Sequence, residues 1–315
     1  MRVVRTARTQ PRGAAFRALA TALTAVAALT GLATAGCAPE TDSRQRTATD
    51  RPERYTTGAA ASLPPEVRRI RDRGYLRFGV KFDQPLMSLR DPRTGRVEGL
   101  DAEIGRLLAL RIFGAAEDGR QIRFVETLTR QREEYVESDK VDVLASTLTM
   151  NAERRERLEL AGPYYVAGQD ILVLAKDQRI RSVRDLAGKR VCVAVGSNSV
   201  DGLREHAPEA DISRPLDSYS DCARALRAGQ YDAISTDNVI LLGYVWKHPN
   251  VFRLVHSPFT SEPYGVAIRK GRLQLRDFIN DTLAVAIANG DWEKAYQRSI
   301  GRVEPELPAL PRVPG

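Results

Sequence analysis

Residues 231–247 read YDAISTDNVILLGYVWK, a short apolar segment that runs directly into a longer one. The first part, Tyr231 to Ser235, has the length and composition of a buried strand. The second part, Asn238 to Lys247, is long enough for a helix, and Asp237 stands between them as a potential N-cap. A strand that passes into a helix in this way predicts an α/β layer. It also places Asp237 at the carboxyl end of a strand, where open α/β sheets bind ligands.

The same alternation continues on both sides of this segment and predicts two α/β units in tandem. Asp101 is expected to cap one of the helices. Strands are expected at Leu76–Val80, Ile122–Val125, Val141–Ala145, Arg190–Val195 and Tyr264–Arg269, and helices after Asp101, at Gln131–Ser138, from Ser199, at Tyr219–Ala228, at Leu273–Asn289 and at Trp292–Arg298.

Length and composition indicate a globular chain of about two domains. Of the 315 residues, 43% are hydrophobic and 28% are charged, which excludes a wholly disordered chain and a protein with many membrane spans. The net charge of +8 includes five arginines within the first 36 residues, a segment without Asp or Glu. The charge balance of the remainder therefore gives no indication of nucleic-acid binding.

The N-terminal segment, residues 1–36, is typical of an export signal, because a basic stretch is followed by an uncharged apolar run. The run is long enough for an uncleaved anchor, which remains an alternative. Thr34-Ala35-Gly36 before Cys37 resembles the lipobox of bacterial lipoproteins, although Thr34 replaces the usual aliphatic residue. Lipidation of Cys37 is expected, with plain secretion as the alternative. Residues 37–69 are expected to form a tether and residues 304–315 a proline-rich tail.

Motifs for catalysis or cofactor binding are missing from the sequence. His206, His248 and His256 lack the spacing of metal ligands, and neither an H-E-x-x-H motif nor a Walker loop occurs. Gly196-Ser197-Asn198 does not complete a nucleophile elbow. We therefore expect no enzyme activity, no cofactor, no metal and no nucleic-acid partner.

Eight short segments follow one another between Arg73 and Gly301. They are GVKFDQP (79–85), VEGLD (97–101), KVDV (140–143), TMNAER (149–154), GPYY (162–165), DLAGK (185–189), YDAISTD (231–237) and EPYGVA (262–267). In these segments and their order the chain resembles the family-3 solute-binding proteins of ABC importers for polar amino acids. Within that family it resembles the glutamate- and glutamine-binding lipoproteins of actinobacteria.

This resemblance implies a two-lobed α/β fold of the type II periplasmic-binding class, with the ligand held between the lobes. Lobe 1 would combine residues 70–166 with residues 267–303, and lobe 2 would span residues 172–262. The hinges are expected near Ala167–Ile171 and Glu262–Val266, where glycine and proline suit a change of backbone dihedrals.

The resemblance also assigns ligand-binding residues. Arg154 matches the arginine that binds the α-carboxylate, with Thr147 and Thr149 beside it, and Asp237 matches the aspartate that receives the ammonium group. Ser197 and Asn198 would offer donors to the carboxylate at a helix N-terminus. The alternatives are that Arg154 belongs to a solvated charged run, that Asp237 only caps a helix, and that residues 196–199 form an ordinary turn.

Two further cations, Lys81 and Arg132, are expected to bind an acidic side chain of the ligand. Glutamate is therefore expected before glutamine or aspartate. The alternative for each cation is that it is simply solvated. Cys192 and Cys222 form an even pair in an exported protein once Cys37 is assigned to lipid, so a disulfide is expected, with two free thiols as the alternative.

The function implied is that of a monomeric, membrane-anchored, extracytoplasmic receptor that delivers an amino acid to an ABC permease. A sensing lipoprotein with a membrane signalling partner and an enzyme of the cyclic-dehydratase type remain alternatives, because one fold supports several functions.

Overall fold

The structure is a computed structural model that describes residues 63–314. The expected signal segment, Cys37 and residues 37–62 of the expected tether lie outside these residues. The helices are α1 (Pro65–Arg73), α2 (Leu100–Phe113), α3 (Arg132–Glu137), α4 (Ala152–Arg157), α5 (Ser199–His206), α6 (Tyr219–Arg227), α7 (Asn238–Lys247), α8 (Leu273–Ala288) and α9 (Asp291–Arg298). The strands are β1 (Leu76–Val80), β2 (Asp83–Gln84), β3 (Ser88–Arg90), β4 (Val97–Glu98), β5 (Ile122–Glu126), β6 (Val143–Leu144), β7 (Leu158–Ala167), β8 (Gln169–Leu174), β9 (Val191–Cys192), β10 (Ala233–Asp237), β11 (Phe252–Leu254) and β12 (Glu262–Arg269).

A five-stranded sheet, in the order β5-β1-β6-β12-β7, forms the centre of the first half of the fold, called lobe 1 below. Strands β1, β5 and β6 are parallel, and β12 runs antiparallel to β6 and β7. The carboxyl ends of the three parallel strands therefore meet at one edge of the sheet. A small antiparallel sheet of β2, β3 and β4 follows β1 near this edge.

A four-stranded sheet, in the order β11-β8-β10-β9, forms the centre of the second half, called lobe 2 below. Strands β9 and β10 are parallel, whereas β8 pairs antiparallel with both β10 and β11. The carboxyl end of β10 and the amino end of β8 consequently lie side by side, because Asp237 pairs with Gln169.

The two sheets are connected at a narrow junction. Gly168 separates β7 from β8, and its backbone pairs with Asn238 in both directions, through Asn238 N to Gly168 O at 2.8 Å and Gly168 N to Asn238 Oδ1 at 3.3 Å. A Cβ atom on Gly168 would lie 2.8 Å from Thr260 O, so the return segment passes directly beside it. The chain thus crosses between the lobes twice at the same place.

Three sequence-based predictions need correction. Helix α2 begins at Leu100 with Gly99 as N-cap, so Asp101 does not cap it; Asp101 is fully buried. The expected tether ends too late, because residues 65–69 already belong to α1, whose Val67 and Ile70 are one helical turn apart and both buried. The strand expected at Tyr231–Ser235 lies two residues further along, at Ala233–Asp237.

Candidate ligand-binding site

Lobe 1 presents two buried cations at the edge where its parallel strands end. Lys81 follows β1 directly and is 2% exposed, and Arg132, the first residue of α3, is 4% exposed. Both contact Thr129: the Lys81 ammonium donates to its hydroxyl, and Arg132 Nε donates to its carbonyl at 3.1 Å. Arg132 Nη1 also donates to the carbonyls of Ser146 and Thr147, at 2.9 and 3.0 Å. The two cations are therefore fixed side by side.

Burial disfavours the charged forms of these two cations and lowers their pKa values. Loss of hydration and then the positive charge of Arg132 lower the pKa of Lys81 to about 7. Loss of hydration and then the charge of Arg154 lower the pKa of Arg132 to about 10. An anion bound beside them would relieve both effects, because an opposite charge favours the protonated forms.

Arg154 also lies at this edge. Asn151 caps α4 by accepting the Arg154 amide at 2.9 Å, which begins the helix so that Arg154 points inward. Arg154 is 4% exposed, whereas its neighbours Glu153 and Arg155 are exposed. Its guanidinium donates from Nη1 to Thr149 O at 2.8 Å and from Nε to Glu133 Oε1 at 3.1 Å. The solvated charged run therefore does not include Arg154.

Asp237, at the end of β10, is a buried carboxylate of lobe 2. Its Oδ2 accepts from the Tyr264 hydroxyl, and its Oδ1 is buried without a hydrogen-bond partner among residues 63–314. Asp237 occupies the N-cap position of α7, but its side chain makes no capping bond within the part of the chain that the structure describes. Loss of hydration and then the negative charge of Glu262 raise the pKa of Asp237 to about 7. A ligand ammonium group would satisfy Oδ1 and favour ionisation.

Ser197 and Asn198 lie in the turn before α5, and their side chains form hydrogen bonds with different parts of the molecule. The Ser197 hydroxyl accepts from the Ser199 amide at 3.2 Å and from the Tyr219 hydroxyl at 2.9 Å. Asn198 Nδ2 donates to Glu262 Oε2, at the start of β12, at 2.7 Å and to Thr149 Oγ1 of lobe 1 at 3.4 Å. Asn198 thus connects the two lobes in this structure.

Other contacts also join the lobes, so this structure represents a closed arrangement. Asp83 Oδ2 accepts from the Ser220 hydroxyl at 2.9 Å, and Arg130 forms an ion pair with Asp217. A Cβ atom on Gly243 of α7 would lie 2.4 Å from Pro85 O, a separation that real side chains do not reach. The lobes touch where only glycine leaves room.

Two buried carboxylates at this site were not identified from the sequence. Glu262 accepts from Asn198 and, at 2.7 Å, from the Thr260 hydroxyl, and it lies near enough to Asp237 to raise its pKa. Asp101 accepts from the Tyr164 hydroxyl at 2.6 Å and from the Thr147 amide at 3.1 Å. Both lie in segments that carried the family resemblance, but a carboxylate within a short motif does not reveal its partners.

The structure joins Cys192 and Cys222 by a disulfide with Cα atoms 5.7 Å apart. Cys192 ends β9 and Cys222 lies on α6, so the bond ties this helix to the sheet of lobe 2.

Within residues 63–314, the Asp, Glu, His and Cys side chains form no group of three or more that could hold a metal ion. The same residues include no helix with the length and apolar character needed to cross a bilayer.

Comparison of the sequence with known proteins identifies the family to which this chain belongs. Residues 76–302 match the family described as bacterial extracellular solute-binding proteins, family 3. The chain is 35% identical over 232 residues to the ABC transporter glutamine-binding protein GlnH of Bacillus subtilis, covering 73% of this chain and 83% of that protein. It is 32% identical over 237 residues to the glutamate-binding protein GluB of Corynebacterium efficiens, covering 73% and 80%.

Solved structures of amino-acid-binding proteins share the fold. An ancestral arginine-binding protein bound to arginine superimposes with a TM-score of 0.66 at 31% identity, covering 73% of this chain and 99% of that one. The ancestral amino-acid-binding protein AncCDT-1, a precursor of cyclohexadienyl dehydratase, gives 0.66 at 29% identity, covering 74% and 98%. The expected two-lobed α/β fold is confirmed. The chain belongs to the family-3 bacterial extracellular solute-binding proteins.

Proposed function

We propose that this protein binds glutamate in preference to glutamine or aspartate and delivers it to an ABC permease without changing it chemically. The observation that carries the proposal is the unpartnered Oδ1 of buried Asp237 in lobe 2, opposite three buried cations in lobe 1. A zwitterion with a second carboxylate matches this division of charge.

The α-groups of the ligand are assigned to the two lobes separately. Asp237 receives the ammonium group, and Arg154 binds the α-carboxylate together with Thr147 and Thr149. Arginine suits this role because its planar fork matches a carboxylate. The Arg154 contacts to Thr149 O and Glu133 hold the guanidinium in one orientation, which leaves less freedom to lose on binding.

The side chain of the ligand is assigned to Lys81 and Arg132. These are the two cations of lobe 1 whose pKa values burial depresses, to about 7 and about 10. A side-chain carboxylate would relieve that stress, whereas the amide of glutamine would not. A charge-assisted hydrogen bond contributes about 1.5–3 kcal/mol, which is about ten- to hundredfold in affinity.

The motif before Cys37 and the family support a proposal for the cellular setting. We propose a monomer outside the cytoplasm, held at the membrane by lipid on Cys37 and a tether, and closing about hinges near 167–171 and 262–266. The relatives named above are binding proteins, which favours transport over catalysis. No observation on the described residues favours a signalling partner over a permease.

The test is calorimetric titration of the twenty amino acids, followed by two variants. Glutamate should bind most tightly, and Lys81→Met and Arg132→Met should each weaken glutamate more than glutamine. Lys176→Met, on the exposed surface of lobe 2, is the matched control and should leave both affinities unchanged. If Lys81→Met and Arg132→Met both bind glutamate as tightly as the parent, these two residues do not bind the side chain of the ligand.

A further inference from the structure

Asp101 is a carboxylate in the interior of lobe 1 that the assigned binding contacts do not use. It lies at the second position of α2 and is 0% exposed. Burying a carboxylate is costly unless its oxygens are well hydrogen-bonded. Both are: Oδ1 accepts from the Tyr164 hydroxyl at 2.6 Å, and Oδ2 accepts from the Thr147 amide at 3.1 Å. The partners of Asp101 therefore indicate its role.

Thr147 has an unfavourable backbone conformation. Its φ is +46°, in the left-handed region, which a β-branched residue rarely adopts. Such conformations persist where surrounding contacts hold them. The contacts here are the Thr147 amide to Asp101 and the Thr147 hydroxyl to Gln84 Oε1 at 3.2 Å.

The turn at Thr147 has a direct effect on Arg132. It brings the carbonyl oxygens of Ser146 and Thr147 to the same Arg132 nitrogen, Nη1, at 2.9 and 3.0 Å. Two acceptors on one nitrogen fix the direction of the guanidinium. The Asp101 carboxylate is thus connected to the Arg132 guanidinium through one strained peptide segment.

We propose that Asp101 is a positioning residue for ligand binding: it holds the left-handed turn at Thr147 and thereby orients Arg132 toward the ligand. The inference rests on the proposed function insofar as Arg132 is taken to contact the ligand. Asp101 itself touches no ligand atom in this scheme.

Geometry and charge can be separated by substitution. Asp101→Asn keeps the shape and both hydrogen bonds, because an amide oxygen can accept from Thr147 and an amide NH2 can donate to the Tyr164 oxygen. Asp101→Leu has a similar size but makes neither bond. Glutamate is the diagnostic ligand, because Arg132 is assigned to its side-chain carboxylate. Both variants lose the same charge, so the difference between their affinities reports the hydrogen bonds alone.

The matched control is Asp142, another buried carboxylate of lobe 1. It lies just before β6, bonded to the Arg77 amide at 2.8 Å and to the guanidinium groups of Arg73 and Arg77. It is adjacent to the amino-terminal half of β1, whereas Lys81 follows the carboxyl end. Asp142→Leu should lower the melting temperature without altering affinity.

The experiment measures glutamate affinity by calorimetry at a temperature where circular dichroism shows each variant folded. Asp101→Leu should bind glutamate at least about tenfold more weakly than Asp101→Asn, which keeps both hydrogen bonds. A folded Asp101→Leu variant that binds glutamate as tightly as Asp101→Asn would overturn the proposal.

Amide exchange supplies a readout that needs no ligand. In Asp101→Leu the Thr147 amide should exchange faster than in the parent, with the effect confined to residues 145–149, whereas Asp142→Leu should leave it protected. If no amino acid binds the parent, the ligand assignment fails while exchange still decides whether Asp101 holds the turn. Should Asp101→Leu not fold, Asp101→Ala replaces it, and unchanged exchange together with the affinity of Asp101→Asn overturns the proposal.

Discussion

Asp237 combines two features that rarely occur together, complete burial of the carboxylate and an oxygen with no hydrogen-bond partner among residues 63–314. An unpartnered buried acceptor costs about 1–3 kcal/mol. A ligand ammonium group would remove that cost, which makes Asp237 the residue on which binding of any amino acid should depend.

Asp237→Asn should weaken glutamate and glutamine equally, by about ten- to hundredfold. The amide oxygen can still accept from Tyr264, but its NH2 group would then face the ligand ammonium. Asp232→Asn is the control, because Asp232 pairs with Arg190 before β10 begins, away from the junction of the lobes. Calorimetry showing a loss for one ligand alone would contradict the assignment of Asp237 to the common ammonium group.

The glutamate-to-glutamine preference should fall as the pH rises from about 6 to about 9. The Lys81 ammonium has a pKa lowered to about 7, and a bound side-chain carboxylate favours its protonated form, so glutamate binding weakens as Lys81 loses its proton. Glutamine lacks that carboxylate and keeps its affinity on the alkaline side. Ionisation of Asp101, whose pKa burial raises to about 7, acts in the same direction on glutamate.

On the acid side, both ligands should bind more weakly below about pH 7, because Asp237, with its pKa raised to about 7, becomes protonated and no longer favours an ammonium group. Titrations of the parent and of Lys81→Met across this range measure both effects. An alkaline decrease for glutamate that survives in Lys81→Met would assign the effect to other groups, Asp101 among them.

At the scale of single elements, the sequence predicts helices and strands well, but it predicts poorly where the strands beside the binding site end. Helix α7 has the predicted bounds, because apolar length and a preceding strand define it locally. The strands expected at Val141–Ala145 and Arg190–Val195 are reduced to Val143–Leu144 and Val191–Cys192. After β6 the chain leaves the ladder to turn two carbonyls toward Arg132, and periodicity contains no signal for that turn.

The helix α7 offers a direct test of lobe contact through Gly243→Ala. Alanine is favoured over glycine inside a helix by about 0.5–1 kcal/mol, so the ligand-free protein should melt no earlier than the parent. In the closed arrangement the new Cβ atom would lie 2.4 Å from Pro85 O, so affinity should fall and the ligand-induced rise in melting temperature should shrink. Parental affinity would mean that binding does not require this approach of the lobes.

The disulfide is a second test at this scale. Its closed loop, with a sequence separation of 30, predicts a contribution of about 3–4 kcal/mol to the free energy of unfolding. Equilibrium unfolding in urea with and without reductant measures it. Two titratable thiols in unfolded, unreduced Cys37→Ser protein would show instead that the cysteines are free.

At the scale of the whole molecule, long-range pairing decides what local patterns cannot. Strand β12 pairs with β7 from Glu262 and Ala167 to Arg269 and Leu158, so residues about a hundred positions apart complete the sheet of lobe 1. Periodicity indicated two α/β units but not that the chain returns to the first one. That return came only from the family resemblance, because the pairing partner of a strand leaves no mark in its own sequence.

Ligand binding should close the molecule. Arg154 belongs to lobe 1 and Asp237 to lobe 2, and a single amino acid is so short that it can contact both residues only when the lobes are close together. The exposed ion pair between the lobes is too weak to hold the closed form alone: Arg130 and Asp217 are 41% and 61% exposed, and such pairs contribute about 0–1 kcal/mol. Small-angle scattering should therefore give a smaller radius of gyration with saturating ligand than without it. Asp237→Asn at the same ligand concentration should keep the larger radius, which separates closure from a general effect of the solute. A radius that stays the same in the parent at saturation, with binding verified by calorimetry in the same sample, would contradict closure by the ligand.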